Sequence, residues 1–471
     1  MAKNKNKKRK FNGGYGRGQN PMAEVLRLNN MLAKIDVNKN VDEAIKKVNQ
    51  VNNKIVENNT VQVANQLLEN RTIIKDFTEG DYSISRYVEK DKVQVVDKPL
   101  VVGYLRDYSG CGHFRMVYPM NMINTKFAYS GKINCTLFPV TLTQEDILPH
   151  VRSFVFQRPI GDDQTFKIRA YKKFQEQYQY KLIGELDDYV FDLPEYHPGY
   201  ENNIIRNVRS LLVNLRLMDE IIVSTNNLKK ELIELGIDTK ITVIENTLPK
   251  YLYQTDVKRF KFSDIIKPKI AFTGSNFHYN NSKQLDGDFS GAIKEFIIKN
   301  VDNFEFVFFG DAPYFLKKEV NEGKIIIVPY TNTVEYSTNL KKYRIDFVIA
   351  PLVENLFNSC KSDLRYLEAS AMGSVFIGYK FLNGLTSPYQ NNRLTLDENS
   401  TVEDVENIIK KYSTKDSFND EISSQYNELD DRWLENTANL LKYIEVYSSG
   451  IKGLIIEQDH PQYEEFKPFI R

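Results

Sequence analysis

Residues 347–378, FVIAPLVENLFNSCKSDLRYLEASAMGSVFIG, decide how this chain is read. An apolar, β-rich run from Phe347 to Leu352 leads into a polar stretch at 353–360. The pattern predicts next a helix carrying Lys361, Ser362 and Glu368, then at once a second apolar strand at 375–377. Strand, polar loop, helix and strand make the repeating unit of a parallel α/β sheet, whose ligands collect beyond the carboxyl ends of the strands. Free amides at a helix start suit phosphate, and Lys361 adds positive charge there. Glu368 lies seven residues on, roughly two turns, so the spacing predicts it on nearly the same helix face as Lys361. A cation for phosphate and a carboxylate for sugar hydroxyls on one face predict a nucleotide-sugar clamp, with Asn355 and Asn358 on the loop placed to bind sugar or phosphate. On spacing alone, an ordinary surface helix with a Lys and a Glu is the plain alternative.

The same alternation runs outward in both directions. Upstream, apolar runs at 100–105, 134–140, 153–157, 181–185, 220–224 and 240–244 are separated by helical patterns, among them 163–179, 204–218 and 226–235. A second series follows, with strands predicted at 269–272, 304–309 and 324–328 and helices near 289–300 and 334–343. Such alternation predicts parallel sheets wrapped on both sides. Residues 250–268, with Pro249 and Pro268 at their ends and Lys and Arg between, read as an interdomain linker. The expected organisation is a disordered basic tail (1–20), a helical N-terminal extension (21–95), an acceptor domain (96–250), a nucleotide-sugar domain (251–400) and C-terminal helices (401–471). Within the last segment, 402–412 and 417–447 read as helical.

Three further stretches carry candidate chemistry. The strand at 100–105 ends in Arg106-Asp107-Tyr108-Ser109-Gly110-Cys111-Gly112-His113-Phe114-Arg115. Strand, glycine loop and helix open a nucleotide-binding unit, in which Gly110 and Gly112 admit a ligand to the backbone, His113 bonds a sugar hydroxyl and Arg115 assists phosphate. A plain tight turn would also explain the glycines. Asp187-Asp188 ends another strand, where adjacent acids can bind a metal, take a proton, hold an acceptor hydroxyl or simply cap a helix. Thr273-Gly274-Ser275 follows the first strand of the second series, and small residues there let amides reach phosphate oxygens.

The 347–378 stretch resembles the donor-binding motif in the second domain of GT-B fold glycosyltransferases, the retaining group that includes glycogen- and sucrose-synthase-like enzymes. Its residues fit a pattern, N-x-x-K-S-x-L-[KR]-x-L-E, similar to a phage and bacterial branch. The family carries two glutamates seven residues apart, the second touching the donor ribose. Glu368 matches the second, whereas Cys360 stands where the first would be. Thr273-Gly274-Ser275 resembles the family's pyrophosphate loop, 218–225 its strand before the last helix of the first domain, and 244–249 the loop leading to the second. The resemblance implies two Rossmann-like domains facing a cleft, with a helical N-terminal arm, and transfer of a hexosyl group from a nucleotide-diphosphate sugar with retention. Lys361, Asp188 and Glu368 would carry the catalysis. It also implies a C-terminal helix that crosses back onto the first domain.

Composition narrows the partners. A net charge of +1 excludes a globally basic nucleic-acid binder, although Lys7, Lys8, Arg9 and Lys10 could touch DNA or another anion. The absence of any apolar run of membrane-spanning length argues against a transmembrane segment. Cys111, Cys135 and Cys360 form neither a metal spacing nor a disulfide framework, and no DxD-type pattern demands a metal, so a cytoplasmic enzyme without a cofactor is expected, in a host's cytoplasm if phage-encoded. Apolar residues recur at helical spacing between Pro21 and Glu69, which allows oligomerisation through that arm. The acceptor stays open between modified phage DNA, polysaccharide and protein. Two other readings also stay open: a non-catalytic GT-B-like scaffold, and a sugar-phosphate or epimerase-type enzyme on the same frame.

Overall fold

Runs of Val, Ile, Leu and Phe without polar alternation suit strands covered on both faces. The computed structural model describes residues 100–127, 133–139, 145–200, 205–255 and 267–448, all in one compact unit. The basic tail, the helical arm at 21–95 and the segment from 449 onward lie outside the described residues. Every apolar run named above as a strand is one.

In the first domain β1 (Leu100–Leu105), β2 (Asn134–Pro139), β3 (Val151–Gln157), β4 (Lys181–Leu186), β5 (Glu220–Val223) and β6 (Lys240–Val243) form a six-stranded sheet in the order β2-β1-β3-β4-β5-β6. All its pairings are parallel. In the second, β7 (Lys269–Thr273), β8 (Glu305–Phe309), β9 (Ile325–Val328), β10 (Phe347–Ile349), β11 (Val375–Tyr379) and β12 (Thr395–Leu396) pair in parallel in the order β12-β11-β10-β7-β8-β9. The chain reverses its direction of travel between β1 and β3 in one sheet and between β7 and β10 in the other. Connections leave to opposite faces at such a point, so a crevice opens beyond the carboxyl ends of those strands. These are two Rossmann-like domains facing each other across a cleft.

Helices α1 (Tyr118–Phe127), α2 (Asp162–Tyr178), α3 (Ile205–Arg216) and α4 (Asn226–Glu234) cover the first sheet; α5 (Ala292–Asn300), α6 (Thr333–Tyr343) and α7 (Leu364–Met372) belong to the second. A π-helical turn, His113–Val117, precedes α1. After α8 (Val402–Tyr412), the helical pattern at 417–447 is broken rather than continuous. α9 (Lys415–Asn427) gives way to a 3-10 turn at Asp430–Arg432, and α10 runs over Thr437–Ser448. Between them Trp433 bridges to Leu248: the Leu248 amide donates to the Arg432 carbonyl (3.0 Å) and the Leu434 amide to the Leu248 carbonyl (2.8 Å). The exit segment of the first domain thus takes the backbone groups that a continuous helix would have paired internally. α10 packs on α1 and β3, with Lys181 Nζ donating to the Val446 carbonyl (2.9 Å).

Candidate active site

The first-domain edge is built on Arg158, one residue past β3, with φ +42°. Its Nε and NH2 reach the two oxygens of Asp187 (2.6 and 2.9 Å), NH2 also reaches Asp188 (2.8 Å), and NH1 lies 3.7 Å from Asp107. One guanidinium therefore gathers acids from the ends of β1 and β4, and Gln157 Oε1 pins the β1 loop by accepting from the amides of Arg106 (3.2 Å) and Asp107 (3.0 Å). Burial pushes the Asp187 carboxyl up, but the charge and hydrogen bonds of Arg158 outweigh it and hold the carboxyl below its ordinary value. Asp188 is pushed up, by burial and then by Asp187, while Lys361 across the cleft pulls it down. Cys111, Asp187 and Asp188 place their ligand atoms within 4.8 Å of one another, a spacing a metal could use. The acids' countercharge here is Arg158, and burial followed by Asp187 pushes the Cys111 thiol far up, so it stays protonated.

Opposite, β7 ends in Thr273-Gly274-Ser275. A Cβ on Gly274 would lie 2.7 Å from Cζ of Arg365, so glycine is what lets the Arg365 guanidinium lie across this backbone. Arg365 also donates to His278 Nε2. His278 Nδ1 is 2.6 Å from Asp288 Oδ2, and Asp288 Oδ1 accepts from the Val353 amide (2.9 Å), Asn358 Nδ2 (2.7 Å) and Tyr196 Oη (2.9 Å). Tyr196 belongs to the first domain, so this network crosses the cleft. So does an aromatic seam: His197 stacks on Phe277 at 4.8 Å and meets the edge of Phe357 at 5.1 Å. Lys361 Nζ sits 4.1 Å from the centre of the same Phe357 ring. Burial lowers the Lys361 pKa, partly offset by Asp188.

Several expected roles change. Lys361 and Ser362 are not helical: a short turn, Leu356–Ser359, ends before them and α7 begins at Leu364. The seven-residue spacing consequently does not put Lys361 and Glu368 on one helix face. Glu368 is buried, 5% exposed, and its oxygens accept from Tyr253 (3.1 Å) and Tyr336 (3.2 Å), with burial pushing its pKa up to about 7. Asn355 caps the short turn by accepting from the Asn358 amide (2.8 Å), and Asn358 is wholly buried on Asp288, so both build the loop. Gly112 gives no ligand access either, because a Cβ there would collide with the Asp107 carbonyl; it lets the loop close on itself. Arg115 is 1% exposed and is spent within the protein, donating to Glu185 (2.7 Å), the Ile244 carbonyl (2.6 Å) and Asn246 (2.9 Å). His113 Nδ1 lies 2.8 Å from the Ser109 carbonyl. Ser362 accepts from Asn246 Nδ2 (2.7 Å), joining the domains.

Cys360 has a structural account. It is fully buried in the apolar cluster of the first domain, its carbonyl accepts from Thr225 Oγ1 (3.0 Å), and burial raises its thiol pKa to about 12. Sequence reasoning missed Arg158, Tyr196, His278, Asp288 and Arg365 as site residues. Arg365 stands inside the 347–378 stretch, and His278 lies three residues beyond Thr273-Gly274-Ser275. Asp288 and Tyr196 have no local signal and are found only where the chain brings them together.

No known protein-family profile matches the chain, and no curated protein matches it in sequence. Among solved structures, Anabaena HepE in complex with UDP and glucose is similar at 10% identity over 74% of this chain and 100% of that one, with a TM-score of 0.48. Sucrose-phosphate synthase from Thermosynechococcus elongatus is 9% identical over 74% and 98% of the two chains (TM-score 0.44). A point mutant of S. aureus TarM, in complex with fondaparinux, α-GlcNAc-glycerol and UDP, is 13% identical over 63% and 55% (TM-score 0.41).

Proposed function

We propose that this chain is a GT-B-type glycosyltransferase that moves a hexosyl group from a nucleotide-diphosphate sugar to a hydroxyl-bearing acceptor. The observation that carries the reading is the opposition of two sheet switch points of unlike charge. One presents Lys361 and Arg365 beside a glycine backbone, and the other presents Asp107, Asp187 and Asp188 around Arg158. In this reading the cations and the amides near Gly274, Ser275 and Ser362 offset the charge that grows on the departing diphosphate. The chain's own cations do this without a metal. Asp188, whose carboxyl burial and then Asp187 push up from its ordinary value, takes the acceptor's proton. Glu368 meets the ribose once Tyr253 or Tyr336 yields its bond. Retention is part of the proposal on the strength of the motif resemblance.

The test is release of nucleoside diphosphate from a panel of UDP- and GDP-sugars by the full chain, followed by the anomeric configuration of the product. Turnover with at least one donor, lost in Lys361→Ala, is expected. No release from any donor would count against the reading.

A further inference from the structure

We propose that His278 and Asp288 are positioning residues that hold Arg365 across the Gly274 backbone, and that Tyr196 makes this hold depend on the first domain being seated against the second. The inference rests on the donor-site reading above and assigns roles that the donor motif does not contain.

The geometry dictates the proton arrangement. A carboxylate can only accept, so the contact at 2.6 Å between Asp288 Oδ2 and His278 Nδ1 requires the ring proton on Nδ1. Nε2 is then a bare acceptor, and a guanidinium can only donate, so Arg365 is its matched partner. Burial and then the Arg365 and Lys361 charges push the imidazole far below its ordinary pKa, which keeps Nε2 free of a proton. A guanidinium has five N–H donors, and among the described residues the one hydrogen bond of Arg365 is to His278. The guanidinium lies where a Cβ on Gly274 would stand, with NH2 and Nε nearest to that point, and neither Nε nor NH1 makes a hydrogen bond among the described residues. Arg365 is thus oriented but unspent, as an anion-binding group must be.

The link to the first domain is equally specific. Asp288 is fully buried and takes four donors: His278, Asn358, the Val353 amide and the Tyr196 hydroxyl. Tyr196 also accepts from Asn358 (3.0 Å) and Asn355 (3.2 Å). Moving the first domain away withdraws Tyr196 from Asp288 Oδ1 and leaves that oxygen held by the Val353 and Asn358 donors alone. The aim of Arg365 is therefore coupled to closure of the cleft.

Asp288→Asn tests the relay with little change of shape. The oxygen of the new carboxamide keeps the Tyr196, Asn358 and Val353 bonds, while its NH2 faces His278 Nδ1. The ring proton must move to Nε2, where it confronts the Arg365 N–H. The experiment measures UDP affinity by calorimetry on the full chain, thermal unfolding, and the His278 tautomer by 15N NMR of histidine-labelled protein. We expect a proton on Nδ1 in the wild type and on Nε2 in Asp288→Asn. UDP affinity should fall at least tenfold while the unfolding temperature holds within a few degrees. Tyr196→Phe should keep the wild-type tautomer and lose about threefold to tenfold in affinity. A tautomer that flips with affinity unchanged would overturn the positioning role, and a tautomer that does not flip would overturn the relay itself. A wild type that binds none of UDP, GDP or ADP would contradict the donor-site reading instead, while the tautomer signal still decides the relay.

Discussion

At Glu368 two tyrosine hydroxyls offset only part of the cost of burial, and the carboxyl is pushed up to about 7. The folded-state value lies above that of the unfolded chain. Its share of stability is therefore complete below the unfolded value, near pH 4.5, and is lost as pH rises through about 7. Glu368→Gln removes that loss. The variant should match the wild type in apparent melting temperature at pH 4.5 and exceed it by a few degrees at pH 8, about 1–3 kcal/mol, while losing donor binding. A wild type as stable as the variant at pH 8 would contradict the burial argument. Cys360 gives the complementary case. Installing the glutamate that the motif elsewhere carries, Cys360→Glu, puts a carboxylate into a fully buried place whose neighbours include Glu231 and Asp188. A cost of about 2–4 kcal/mol at pH 8, smaller at pH 5, is expected by thermal unfolding. An unchanged melting temperature would show that this place tolerates charge.

Elements carry the site through their ends. Thr225 caps α4 by accepting from the Leu228 amide (3.1 Å) and donates to the Cys360 carbonyl (3.0 Å), so one hydroxyl starts a helix and ties the domains. Thr225→Val should cost about 1–2 kcal/mol in chemical denaturation, with Thr225→Ser near wild type; equal losses in both would deny the hydroxyl its role. The strands were legible in the sequence because parallel strands buried on both faces are written as unbroken apolar runs, as at Ile270, Phe306 and Phe347. Two elements were not. Lys361 reads as helical by propensity, but Asn355 caps a single turn that ends at Ser359, and the helix restarts at Leu364. The break at Trp433 comes from pairing with Leu248, a partner so distant along the chain that no local pattern encodes it. The acid pair and the glycine loops were found where strand ends had to be. Asp288, by contrast, earns its place only from donors at 196, 278, 353 and 358.

At the scale of the molecule, the domains are joined by a chain of polar contacts centred on Asn246. Its side chain receives Arg115 (2.9 Å) and donates to Ser362 (2.7 Å), and its carbonyl accepts from Arg432 (2.9 Å). Arg432 in turn forms a two-point pair with Asp363 at 2.8 Å for each contact, which locates the start of α7 relative to the first domain. Arg432→Ala strands a partly buried carboxylate and frees this joint. We expect a loss of about 2–4 kcal/mol and a calorimetric transition that broadens or splits into two, one per domain; a single sharp transition at the wild-type temperature would contradict the joint. This construction places cations at one sheet edge against acids at the other, which is the central claim for function. Its most direct test is calorimetric titration of the full chain with UDP, GDP and ADP, beside Lys361→Ala and Arg365→Ala. The account predicts saturable binding of at least one of them by the wild type, weakened tenfold or more in each variant. Failure of all three to bind, or binding untouched by both substitutions, would contradict it.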